Sequence, residues 1–125
     1  MADTVFEADL QVPANTPVGS VYFTPVDLGW SDVQEIMVVF PPGCAGLVGV
    51  QIQYAVNPVY PNAHGAYYIL DDYTLVIPVS SQQKAGQWRL VAYNYDTYVH
   101  TIRSYWSYNY LTSQQASGNS PLISL

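Results

Sequence analysis

Along much of this chain apolar and polar side chains alternate with a period of two. Residues 5–12 place Phe6, Ala8, Leu10 and Val12 on one side and Val5, Glu7, Asp9 and Gln11 on the other, the period of a half-buried strand. Pro13 and Pro17 end that segment, and a second short strand over 20–24 stops at Pro25 and the Asp27-Leu28-Gly29 break. From Val33 to Phe40 one face carries Ile36, Val38 and Phe40 and the other Val33, Glu35, Met37 and Val39. A strand apolar on most of both faces belongs in the middle of a sheet. After Pro41-Pro42-Gly43, residues 47–56 set Val48, Val50, Ile52 and Tyr54 against Gly49, Gln51 and Gln53.

Residues 57–65 hold two prolines and a glycine and read as an exposed loop. Strands are predicted at 66–70 and 73–79 around an Asp71-Asp72 turn, and 80–86 is a polar loop. Trp88, Leu90 and Ala92 alternate with Arg89, Val91 and Tyr93, and residues 94–97 supply hairpin-turn chemistry. The last strand, 99–111, puts His100, Ile102, Trp106, Tyr108 and Tyr110 on one face and Val99, Thr101, Arg103 and Tyr105 on the other. No stretch keeps a helical period between caps. The expected fold is all-β: a single antiparallel β-sandwich, jelly-roll-like, of about eight strands over residues 1–111. A closed barrel is the alternative architecture. Residues 112–125 form a separate C-terminal extended tail or arm, polar until the apolar Leu122, Ile123 and Leu125.

Composition changes this picture at the surface. Half of the residues are hydrophobic and only 10% are charged, against about 25% in ordinary soluble domains. Twelve tyrosines and three tryptophans therefore stand where charge usually does, and these side chains bring large contact area at low rotamer cost. Lys84, Arg89 and Arg103 against nine acidic residues give a net charge of −6, which opposes binding to nucleic acid or to an anionic membrane surface. A lone cysteine, Cys44, excludes an internal disulfide and a multi-cysteine metal site. Asp3, Glu7 and Asp9 occupy the place of a basic signal segment, and no apolar run reaches the ~18 residues of a membrane span. Synthesis in the cytoplasm is the expectation, with no cofactor.

Several constellations merit testing for chemistry. Cys44 with His64 or His100 can be drawn as a nucleophile–base dyad, although all three lie in turn or strand contexts. Asp71 and Asp72, with Asn94 and Asp96, offer hard oxygen ligands for a cation, yet their spacing matches no ligand loop and suits turns. Trp88, Tyr93, Asn94, Asp96, Tyr98 and His100 could form a sugar platform; a core tryptophan and a hairpin turn explain the same residues. No catalytic residue is assigned. The aromatics of the last strand are the most unusual feature, because Tyr105 lies opposite Trp106, Tyr108 and Tyr110, and one sandwich layer covers one face of a strand. Tyr105, Trp106, Tyr108 and Tyr110, together with Leu122, Ile123 and Leu125, are the candidate partner-binding residues.

The segments Phe40-Pro-Pro-Gly-Cys-Ala-Gly-Leu-Val-Gly-Val, Gly86-Gln-Trp-Arg-Leu-Val-Ala-Tyr-Asn-Tyr-Asp and His100-Thr-Ile resemble a pattern in small virion structural proteins of tailed bacteriophages, over roughly residues 33–110. The resemblance implies a β-sandwich protein of the phage particle, made in the bacterial host cytoplasm and built into head, neck or tail without enzymatic activity. An accessory head protein that decorates or cements the capsid is the reading it favours, with the major capsid protein and other copies of the chain as partners. A neck or tail component is the second reading within that class. A carbohydrate-binding module for host attachment is the reading from a different class.

Overall fold

The computed structural model describes residues 4–79 and 87–110. The strands are β1 (Thr4–Val12), β2 (Tyr22–Val26), β3 (Ser31–Phe40), β4 (Val48–Tyr54), β5 (Asn57–Tyr60), β6 (Tyr73–Pro78), β7 (Trp88–Asn94) and β8 (His100–Tyr110). A single 3₁₀ turn, Val18–Ser20, interrupts the connection from β1 to β2. All the strand pairs are antiparallel, in two four-stranded sheets ordered β1-β8-β3-β6 and β2-β7-β4-β5. Consecutive strands repeatedly cross between the sheets, which is the two-Greek-key arrangement of an eight-stranded jelly roll. The sandwich predicted from the alternation is thus the observed fold, and a closed barrel is not.

Each strand is placed by its apolar face. Ala8, Leu10 and Val12 of β1, Ile36, Val38 and Phe40 of β3, Val48, Val50 and Ile52 of β4, and Trp88, Leu90 and Ala92 of β7 all turn inward and are buried. Burying one such Val, Leu or Ile side chain stabilises the fold by about 1.5–3 kcal/mol. The centre of the core is aromatic, with Trp88 and Trp106 edge to face at 5.5 Å and Tyr54 edge-on to Trp88 at 5.1 Å. β3 lies between β8 and β6, the central place that its two apolar faces predicted.

The structure corrects the reading in five places. The second strand, expected over 20–24 and stopped by Pro25, runs from Tyr22 to Val26 with Pro25 inside it, paired opposite Arg89 on an edge where a missing N–H is tolerated. The register between β3 and β8 shifts between Val33 and Glu35; the extra residue of this bulge puts Val33 on the buried face with Ile36, where strict alternation had put it outside. Residues 57–60, read as loop, form β5, a short edge strand in which a proline is tolerated. The strand expected at 66–70 is reduced to one bridge between Tyr68 and Val50. Trp106 and Tyr108 are 0% and 4% exposed and belong to the core of their own chain, so neither forms a partner-binding surface. The tail over 112–125, with Leu122, Ile123 and Leu125, and the loop over 80–86 lie outside the described residues. Among the described residues no helix is long and apolar enough to cross a membrane.

Candidate interaction surface

The registers bring the connections 13–21, 41–47, 61–72 and 95–99 to one end of the sandwich, where Val12 pairs with His100, Val48 with Asn94 and Phe40 with Tyr73. These loops are tied to one another. Asn15 N–H donates to Asp96 O at 2.9 Å, Tyr95 N–H to Leu47 O at 2.9 Å, and the Tyr95 hydroxyl accepts from Val18 N–H at 3.1 Å. Gly43 and Cys44 both donate N–H to Asp71 Oδ1 at 2.9 Å. That carboxylate therefore closes a turn, and Gly43 serves it with a φ of +101° that an L side chain rarely adopts.

Asn94 is the hub of this end. It is fully buried, its Nδ2 donates to Tyr98 O at 2.8 Å and to Val12 O and Pro13 O at 3.3 Å, and its Oδ1 accepts from Asp96 N–H at 2.9 Å. Asp96 Oδ2 lies 2.8 Å from His100 Nε2. The hydrogen bond to His100, followed by the Thr97 and Tyr98 amides, holds the Asp96 carboxyl below its ordinary value despite some opposition from burial.

The residues singled out for chemistry are thereby accounted for structurally. His100 is engaged by Asp96 and His64 is exposed; among the described residues neither hydrogen-bonds to Cys44. The Cys44 side chain is fully buried, and burial first, then the charges of Asp71 and Asp96, push its thiol from 9.0 up to about 11. A buried thiol of that kind is a poor nucleophile at neutral pH. Both burial and the raised pKa disfavour the reactive thiolate, so maleimide labelling followed by mass spectrometry should be markedly slower in the native protein than in urea. Equal rates would contradict the burial. No group of three or more His, Cys, Asp or Glu among the described residues is placed to hold a metal ion.

The sugar platform does not assemble. Trp88 is 1% exposed in the aromatic core and begins β7, whereas Asn94 ends it at the opposite end of the strand.

What the molecule displays is apolar and aromatic. Tyr98 is 72% exposed, and Tyr95, Val99, Val18 and Leu47 are exposed around it at the loop end. Beneath them, on the outer face of β7, Tyr93 is buried, stacked edge-on against Tyr67 at 5.0 Å and 5.1 Å from Tyr95. Gly49 makes this cluster possible, because a Cβ there would stand 2.3 Å from the Tyr93 ring. The alternation placed Tyr93 outside but missed the cluster; a glycine within the β4 pattern was the available signal of a close approach.

Next to the loop end an open cleft of about 600 Å³ lies across the adjoining ends of β3 and β8, with Val39, Pro41, Pro42 and Val99 as apolar walls and Arg103 as a cation. Tyr105 lies on the same outer face, half-buried between Glu7 of β1 and Met37 of β3. Tyr110 is 66% exposed at the far end and accepts a hydrogen bond from the Tyr108 hydroxyl at 3.2 Å. Of the four described candidate partner residues, Tyr105 and Tyr110 therefore reach the surface.

Comparison with protein-family models, with curated proteins and with solved structures finds no match.

Proposed function

We propose that this chain is a non-enzymatic structural protein of a virus particle of the tailed-bacteriophage type, an accessory subunit that decorates or cements the head. One observation carries the reading. The groups that chemistry would recruit, Cys44, Asp71, Asn94, Asp96 and His100, are buried or spent on tying loops together, while Tyr95, Tyr98, Val99, Val18 and Leu47 stand exposed at the loop end. An uncharged aromatic surface on a chain of net charge −6 suits contact with protein. The jelly roll adds support by analogy, since viral capsid domains use it, as do lectins and cupins. The major capsid protein is the proposed partner.

The experiment is to purify particles from a lysate in which the chain carries an affinity tag. The chain is expected to co-band with particles in a density gradient, and Tyr98→Ser combined with Val99→Ser to lower its incorporation while leaving the thermal midpoint of the free protein unchanged. A chain found entirely in the soluble fraction would remove the proposal.

A further inference from the structure

The two sheets leave β1 and β6 as the edges of one and β2 and β5 as the edges of the other. These edges differ in what they offer a second strand. Val79 N–H donates to Gln34 O at 3.1 Å. Alternation back along that antiparallel ladder turns Ile77, Leu75 and Tyr73 toward β3 and leaves the backbone groups of Thr74, Val76 and Pro78 on the open side.

β6, Tyr-Thr-Leu-Val-Ile-Pro, carries no charge, and its Tyr73 and Val76 are 54% and 51% exposed. Uncharged edges of this kind, without a further strand paired to them among the described residues, are templates for pairing. The other edges are blunted. By the same alternation β1 turns Val5, Glu7, Asp9 and Gln11 to its open side, so pairing with a copy of itself would bring acidic side chains together. Glu7 is already held above its ordinary value, first by its hydrogen bond to Asp9. β2 holds Pro25, and β5 is four residues long with Pro58.

We infer that β6 is a self-association edge, where the β6 strands of two copies pair antiparallel about a two-fold axis through Val76 and join the two sheets into one. In that register each Val76 exchanges both backbone bonds with its counterpart, and each Thr74 N–H donates to the carbonyl of the other Pro78. The missing N–H of Pro78 ends the ladder there. Leu75 meets the other Ile77 on the inner face, so the apolar layer continues across the junction. Antiparallel pairing also carries the Asp71-Asp72 turns of the two copies to opposite ends of a strand about 20 Å long, beyond the ~8 Å range of unscreened charge. In a chain with nine acidic and three basic residues, β6 is the longest of the described edge strands that carries no charge, so two copies meet there without like charges. A contact this small is weak as an isolated pair and gains strength where neighbours are held side by side.

Sedimentation velocity of the full chain over a wide concentration range tests this, with thermal unfolding of each variant as a fold control. The wild type is expected to associate reversibly, Val76→Lys to stay monomeric at every concentration with an unchanged thermal midpoint, and Gln11→Lys on the β1 edge to associate like the wild type. Amide hydrogen exchange in the wild type reads the same edge without substitution: Thr74 and Val76 should slow as concentration rises. A wild type that is monomeric throughout, a folded Val76→Lys that associates normally, or exchange at Thr74 and Val76 that is independent of concentration in an associating wild type would overturn the inference. It does not rest on the virion reading: absence from particles would leave these results untouched, and a monomeric chain would leave particle binding standing.

Discussion

Trp106→Ala should destabilise the protein by about 3–5 kcal/mol. Trp106 is 0% exposed and stacks edge-on against Trp88, and the cavity left between two sheets about 10 Å apart cannot close by moving one side chain. The loss is more than packing. Trp106 Nε1 donates to Ser104 Oγ at 2.8 Å, and Ser104 Oγ donates to Ala8 O at 2.6 Å, a chain of bonds tying β8 to β1. Trp106→Phe keeps most of the volume and leaves the Ser104 bond to Ala8 in place, so it should cost only ~1–2 kcal/mol. A domain of this size is stabilised by roughly 5–15 kcal/mol in all; chemical denaturation will resolve both variants. An interface role for Trp106 predicts the reverse, a stable monomer with lost assembly.

The second large effect is expected at Asn94. Asn94→Ala removes the donor that serves Tyr98 O, Val12 O and Pro13 O and the acceptor that serves Asp96 N–H, leaving buried polar groups without partners at ~1–3 kcal/mol each. A loss of about 3 kcal/mol is expected. Asn94→Asp keeps the shape but aims a carboxylate at carbonyl oxygens, so its folded pKa must rise above the ordinary ~3.9. The folded state then holds a proton that the unfolded chain has released, and stability falls as pH rises through that raised value. Asn94→Asp should therefore be less stable than Asn94→Ala at neutral pH and recover part of the difference on acidification, as measured by thermal midpoints across pH. A pH-independent difference would contradict the hub geometry.

Both predictions concern residues whose roles were only half legible in the chain. Alternation separated Trp106 from Tyr105 correctly, because a period of two needs no tertiary information. It could not say which face is inside, so an aromatic run that fills the core of its own chain read equally well as a surface awaiting another subunit. The turn role of Asp71 was visible in its place between two apolar runs, and the amides it binds, from Gly43 and Cys44, come from a loop 27 and 28 residues away, which local pattern cannot reach.

Prolines misled in the same way. Pro25 and Pro58 each argued against a strand, yet β2 and β5 hold them at sheet edges. The β3 bulge was invisible because one inserted residue breaks alternation without changing composition. Of the loop-end surface only Tyr95 falls within the turn expected at 94–97; Tyr98 is a candidate for the sugar platform, and Val99 is expected to start the last strand, which begins one residue later at His100. Their exposure beside Leu47 and Val18 follows from the folding of distant connections onto one end.

An electron cryo-microscopy reconstruction of purified particles tests the central proposal most directly. The account predicts a jelly roll of this topology on the particle, with Tyr95, Tyr98 and Val99 covered by a neighbouring subunit and no bound substrate or metal at Cys44 or His100. Particles that lack this chain, or that carry it with the loop end facing solvent on every copy, would contradict it.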